Sequence, residues 1–185
     1  MPAKGSAEGR FSNSSFARFA KRVAATCRKD VVGCSAPLAL VGSGSVRRHL
    51  EISDLGDLAD LPLVAVLCTY KADGSVLLSP VWHEYSGGGF NVCTSESDVK
   101  ARHLRRDPRA VLVLAESNPP YRGVELTAQA RFVHDDVVET IRNIAIRYLG
   151  DAAGSAYAET ATDDVILRLE PGIVRAWDFS EPQSG

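Results

Sequence analysis

Val76-Leu-Leu-Ser-Pro-Val-Trp-His-Glu-Tyr85, then Ser86-Gly-Gly-Gly89, then Phe90-Asn-Val-Cys-Thr94 read as a strand, a glycine turn and a second strand. The chain runs straight on into Ser95-Glu-Ser-Asp-Val-Lys-Ala-Arg-His-Leu-Arg-Arg-Asp-Pro-Arg109. There the period changes to that of a helix, with Ser95 or Thr94 as its expected cap, Glu96 and Asp98 in the first turn, and Pro108 as its stop. Val99, Ala101 and Leu104 give this helix an incomplete apolar face. Lys100, Arg102, His103, Arg105 and Arg106 supply the rest.

Upstream, Leu63–Tyr70 is apolar and β-rich, and Lys71-Ala-Asp-Gly-Ser75 carries the Asp-Gly hairpin signal. The first three strands therefore form an antiparallel meander. Ser53, Asp54, Leu55, Leu58 and Leu61 predict a short capped helix ending before Pro62. Downstream, Ala110–Ala115 has the composition of a buried strand. Val124, Leu126, Ala128, Ala130 and Phe132 alternate with polar residues along another. Asp135–Leu149 places Val138, Ile141, Ile144, Ala145 and Tyr148 on one helical face. Ser155–Thr160 reads as a short helix, and Val165–Leu169 and Ile173–Phe179 as two strands about a Pro171-Gly172 turn. Six or seven short antiparallel strands without α/β alternation predict a mainly β (α+β) domain, a closed or partly closed barrel.

The 185 residues suffice for one domain, and 45% hydrophobic with 24% charged residues is a globular composition. No apolar run approaches the ~20 residues of a membrane helix. The net charge of −2 hides an asymmetry. Residues 1–50 carry nine Lys and Arg against Glu8 and Asp30, leaving twelve against twenty-one in residues 51–185. An acidic body argues against nucleic acid as the main ligand. The basic front, rich in Gly and Ser, is expected to be a partly disordered extension ahead of the 51–185 domain. Its Phe16–Lys29 stretch resembles a transit peptide in being basic and poor in acids. Cys27, Cys34, Cys68 and Cys93 lack the paired spacing of a zinc or redox motif. They suit a reducing cytoplasm, with Cys68 and Cys93 as buried thiols and Cys27–Cys34 as the one pair that could bridge.

Neither a P-loop nor a glycine fingerprint for dinucleotides appears, and His83, His103 and His134 have no ligand-like spacing, so no metal is expected. Two features carry chemistry. Pro80 cannot donate to a sheet ladder, so its strand should have one side free, with Ser79 and Trp82 beside it as a wall for a planar ring. The bland alternative is an edge strand whose Trp82 packs in the core. The cluster Lys100, Arg102, Arg105, Arg106 and Arg109 is the densest positive charge in the acidic body. It is either a solvated face or the grip on a phosphate, with Lys100 and Arg102 as the leading candidates.

The runs Ala72-Asp-Gly-Ser75, Leu78-Ser-Pro-Val-Trp82, Lys100-Ala-Arg-His-Leu-Arg-Arg-Asp-Pro-Arg109 and Pro120-Tyr-Arg-Gly-Val-Glu125 resemble the split-barrel flavin/deazaflavin family. That family contains the pyridoxamine 5′-phosphate oxidases and the F420-dependent oxidoreductases. The likeness covers about residues 55–180, and the Lys100–Arg109 run is that of the deazaflavin-using side. Arg142–Gly150 and Trp177 also fit. The resemblance implies a six-stranded antiparallel split β-barrel with flanking helices, and a homodimer with two cofactor sites at its interface. Ser79, Pro80 and Val81 would face the ring alongside Trp82, and Lys100 and Arg102 would bind the phosphate tail. Tyr121 and Arg122 would border the pocket from the partner. The implied activity is hydride transfer from reduced F420 to an unsaturated small molecule, with solvent or Tyr121 supplying the proton. Where a close relative's pattern has a second basic residue two before the lysine, this chain has Asp98, which leaves FMN open beside F420. An FMN-dependent amine oxidase and a non-enzymatic flavin, F420 or haem carrier, with His83 or His103 as the haem ligand, are the competing readings.

Overall fold

The computed structural model describes residues 50–180. The expectations for the basic extension, the Phe16–Lys29 helix and the Cys27–Cys34 pair lie outside the described residues. Seven strands form one antiparallel sheet: β1 (Ala65–Tyr70), β2 (Val76–Val81), β3 (His83–Ser86), β4 (Gly89–Ser95), β5 (Arg109–Ala115), β6 (Gly123–Val133) and β7 (Asp164–Trp177). Three helices accompany them: α1 (Val99–Arg106), α2 (Val137–Leu149) and α3 (Asp151–Ala158).

The sheet order is β2-β1-β5-β6-β7-β4-β3. Its two end strands, β2 and β3, are separated in the chain by Trp82 alone, so one run of sequence serves both margins and curls the sheet toward closure. The strand expected over Val76–Tyr85 therefore divides at Trp82. The two strands expected at the C-terminus are instead one. Pro171 and Gly172 do not turn the chain; they sit at an irregularity where the β6 register shifts between Leu126 and Ala128. The Thr127 hydroxyl accepts the Ile173 N–H at 2.9 Å there, so the strand continues as a bulge. One division and one fusion offset each other, so the count stays at seven, the upper of the six or seven read from the sequence, where the resemblance implied six.

Alternate residues of β1, β5 and β6 point inward, and Leu67, Leu112, Leu114, Leu126 and Phe90 are fully buried. Leu55 and Leu58 join the same core. They come from two 3₁₀ turns, Ile52–Leu55 and Leu58–Asp60, in place of the single helix expected there. α1 starts four residues later than its expected cap, because Asp98 caps it: its carboxylate accepts the Lys100 N–H at 2.9 Å. Ala101 and Leu104 are the buried side of that helix. A second, smaller core joins Ile141 of α2 and Ala158 of α3 to Ile166 of β7.

The end of α2 ties the strand break in place. Arg147 donates to the carbonyls of His83 (2.7 Å), Ala59 (3.1 Å) and Leu61 (3.2 Å). The Tyr148 hydroxyl donates to the Leu63 carbonyl at 2.7 Å and accepts the His83 N–H at 3.2 Å. Backbone groups that the division at Trp82 would strand are met by this one helical turn.

Candidate cofactor site

β2 pairs with β1 alone, in the register Leu67↔Ser79, Val66↔Pro80 and Ala65↔Val81. Its other margin has no ladder partner among the described residues, as Pro80 requires. Directly paired residues share a face, so Ser79 and Val81 look inward with Leu67 and Ala65, and Val81 is buried. Pro80 looks outward with Val66. Leu78, opposite Cys68, and Val76, opposite Tyr70, continue that outer row. Leu78 is 61% exposed, Val76 45% and Val66 38%. The result is an apolar outer strip on β1 and β2.

Trp82 stands between the two faces. Its ring stacks on Tyr148 (centroids 4.8 Å, planes at 10°) and meets Tyr157 at 5.6 Å. Burial distorts the titration of Tyr157 and of Cys93 near it. Burial, then the nearby Asp164 carboxylate, pushes the Cys93 thiol up to about 12. Burial likewise raises the Tyr157 phenol to about 12. Both are inert at neutral pH. Cys68 and Cys93, expected to be buried, are part-exposed free thiols.

The cations of α1 divide by partner. Lys100 Nζ lies 2.7 Å from the Asp98 carboxylate, with 14% of its side chain exposed. Arg105 pairs with Glu96, and Arg109, just beyond the helix, pairs with Asp107 at 2.7 Å and stacks over Tyr70. Hydrogen bonds from Arg109 hold the Asp107 carboxyl down at about 2. Arg102 reaches only the Ser97 carbonyl, at 3.5 Å, and Arg106 the Tyr70 carbonyl. Lys100 and Arg102, two apart, point to different sides of the helix.

Tyr121 and Arg122 serve different ends. Arg122 donates to Glu116 (2.6 and 3.1 Å), to the Leu55 carbonyl (2.9 Å) and to Asp57 (2.8 Å). It thereby fastens the loop before β6 to the first 3₁₀ turn. Tyr121 is 44% exposed with a left-handed backbone, φ 60°.

The segment 79–81 pairs with β1 three to five residues before Tyr70, where Arg106 attaches. At ~3.3 Å per residue, that is about 10–17 Å along the strand. The strip faces outward, whereas α1 is seated through His103 on the inward side chain of Thr69, so the helix reaches the strip only at the Tyr70 end of β1. The two best-formed hollows, of about 390 and 450 Å³, lie elsewhere, around Pro171 and Gly172. Neither is lined by the residues predicted from sequence to hold a cofactor.

His83 is fully buried, and neither ring nitrogen has a hydrogen-bond partner. Phe90 and Tyr148 rings meet it edge-on. His103 Nδ1 is 3.1 Å from the Thr69 hydroxyl. No group of three or more metal-capable side chains occurs among the described residues, and none of the helices there is long and apolar enough to cross a membrane. Sequence reasoning missed Arg147 and Tyr148 as the clamp on the strand break, since only Tyr148 shows in the helical pattern.

A seven-stranded antiparallel sheet curled through a divided strand, with three flanking helices, is a split β-barrel. The chain belongs to the pyridoxamine 5′-phosphate oxidase family, whose model matches residues 57–178. Solved structures share the fold. An F420 reductase is 21% identical with TM-score 0.54, the match covering 64% of this chain and 93% of that one. A conserved hypothetical protein from Mycobacterium tuberculosis is 23% identical with TM-score 0.61, over 74% and 92%. HutZ, a haem storage protein from Vibrio cholerae, is 18% identical with TM-score 0.54, over 66% and 92%.

Proposed function

We propose that this chain is an F420-dependent reductase that works as a homodimer, with FMN as the alternative coenzyme. The observation that carries the reading is the exposed apolar margin of β1 and β2 with the cationic helix α1 fixed at the Tyr70 end of β1. A planar ring needs the first and an anionic tail the second. The residues fit such a coenzyme: Leu78, Pro80 and Val66 offer an exposed apolar face, and among the described residues the backbone beside Pro80 has no ladder partner. Arg102 has no carboxylate to release, whereas Lys100 must share its charge with Asp98. When bound, the coenzyme would supply hydride to an electron-poor double bond. The protein's part is to hold the ring, exclude water from it, and offer the exposed Tyr121 hydroxyl as a proton source. A second copy laid on the outer strip would cover the apolar face that a single chain leaves exposed and would keep water from the ring. The F420 reductase among the structural neighbours lends this choice of coenzyme support. The haem reading finds less, because His83 is sealed in the core and His103 is engaged by the Thr69 hydroxyl.

The test is titration of the purified protein with F420 and with FMN, followed by fluorescence. F420 should bind the more tightly. Lys100→Ala should weaken it about tenfold to a hundredfold, the loss of a charge-assisted contact worth ~1.5–3 kcal/mol. Affinity unchanged in that variant would reduce α1 to a solvated face, and binding of neither compound would end the proposal.

A further inference from the structure

Four side chains about the β1–β2 turn form a group of their own. His103 meets the Thr69 hydroxyl and Arg106 donates to the Tyr70 carbonyl. Two successive β1 residues are thus tied to one turn of α1, and Lys71, next in the chain, is held beside that turn. Arg102 and Arg106, four apart, share a face of the helix. Lys100, Arg105 and Arg109 each have a carboxylate. Lys71, Arg102 and Arg106 have none within ion-pair distance among the described residues. His103 lies where their fields overlap. Partial burial first, then Arg106, Lys71 and Arg102, hold its imidazole below the ordinary histidine range, and Asp98 is the one acid opposing them. Three cations around one histidine, without a counter-ion, repel one another. In a domain with an excess of acid, such a grouping has the character of an anion site.

We propose that Lys71, Arg102, His103 and Arg106 bind a doubly charged anionic group, a phosphate or a pair of carboxylates, and that its arrival draws a proton from solvent onto His103. The protonated ring donates from Nδ1 to the Thr69 hydroxyl and has Nε2–H left for the anion. This deepens the cofactor reading by giving a place to the distal charge of the ligand; it shares Arg102 with that reading, adds Lys71, His103 and Arg106, and its test needs no flavin.

Sulfate is the probe, because it stays doubly charged across the histidine range, so any pH dependence belongs to the protein. The His103 ring proton is followed by NMR as pH is varied, with its resonance assigned from His103→Gln. Sulfate should raise the midpoint by about one unit, the effect of an opposite charge within a few ångströms. Chloride at equal ionic strength should raise it far less. Lys71→Ala, in an exposed turn and clear of the helix, and Arg106→Gln should each remove at least half of the sulfate effect. Arg131→Gln, whose arginine pairs with Glu170, should leave it intact. Glutarate run in parallel distinguishes a dicarboxylate from a phosphate-like oxyanion. Equal shifts in sulfate and chloride, or a sulfate shift that survives Lys71→Ala, would overturn the site. That result with F420 or FMN binding intact removes this site alone. A sulfate response without flavin binding removes the cofactor reading alone.

Discussion

His83 is a residue whose cost shows only in acid. Burial first, then the Arg147 guanidinium, press its imidazole down to about 4. The native state therefore keeps the ring neutral where the unfolded chain, with an ordinary value near 6.5, takes up a proton. The unfolded state binds more protons in that window, so stability falls as pH drops from about 6.5 to about 4 and is level above it. The window of about 2.5 units corresponds to roughly 3 kcal/mol. Urea denaturation at a series of pH values should show that acid limb, and His83→Leu should flatten it, since no proton can then be bound in either state. An unchanged acid limb in the variant would assign the loss to other groups. From the sequence His83 could be read as surface, structural or haem-ligating. What decided was its place one residue after the strand break, where the Tyr148 hydroxyl takes its N–H and the chain turns its ring into the core.

At the scale of elements, α2 and α3 meet where a side chain cannot fit. A Cβ on Gly154 would overlap the backbone of Ala145 and Ile146. Gly154→Ala should therefore force the two helices apart and lower stability by about 1–3 kcal/mol, as overpacking does, although alanine is the better helix former. A thermal melt of the variant checks the sign; a rise in Tm would mean the helices separate freely. The same distinction governs what could be read in advance. The Asp73-Gly74 hairpin was legible because its geometry is local: Asp73 accepts the Ser75 N–H at 2.9 Å and Gly74 takes φ 81°. The alternation of β6 and the apolar face of α2 were legible for the same reason. Pro171-Gly172 was not, since its local chemistry is that of a turn and it is the bond from Ile173 to Thr127, 46 positions away, that keeps the strand continuous. Nor could sequence show that Asp98 caps α1 and also engages Lys100, or that Arg122 spends its donors on Glu116 and Asp57. In each case the deciding partner is fixed by folding. The candidate site was legible as a set of residue types and illegible as a set of ion pairs.

At the scale of the whole molecule, the outer face of the β2-β1-β5 margin is the part least at ease in water. Leu78 and Cys68 are cross-strand partners, as are Cys68 and Val111, Val66 and Pro80, and Val66 and Val113. The row continues at Val64, which is 50% exposed. Apolar side chains on neighbouring strands in this number form a contiguous patch, and such patches mark association surfaces. A second copy laid across it by a two-fold axis would present the same strip in return, the self-complementary arrangement that closes a dimer. Leu78→Glu places a charge in the middle of this contact without touching the core, so it should leave the circular dichroism spectrum unchanged. Sedimentation velocity should show the wild type as a dimer and the variant as a monomer, and flavin-type affinity should fall in step with the loss of dimer, because half of each site would be gone. A wild type that sediments as a monomer and still binds F420 or FMN would separate the coenzyme from the interface and place its ring on a single chain.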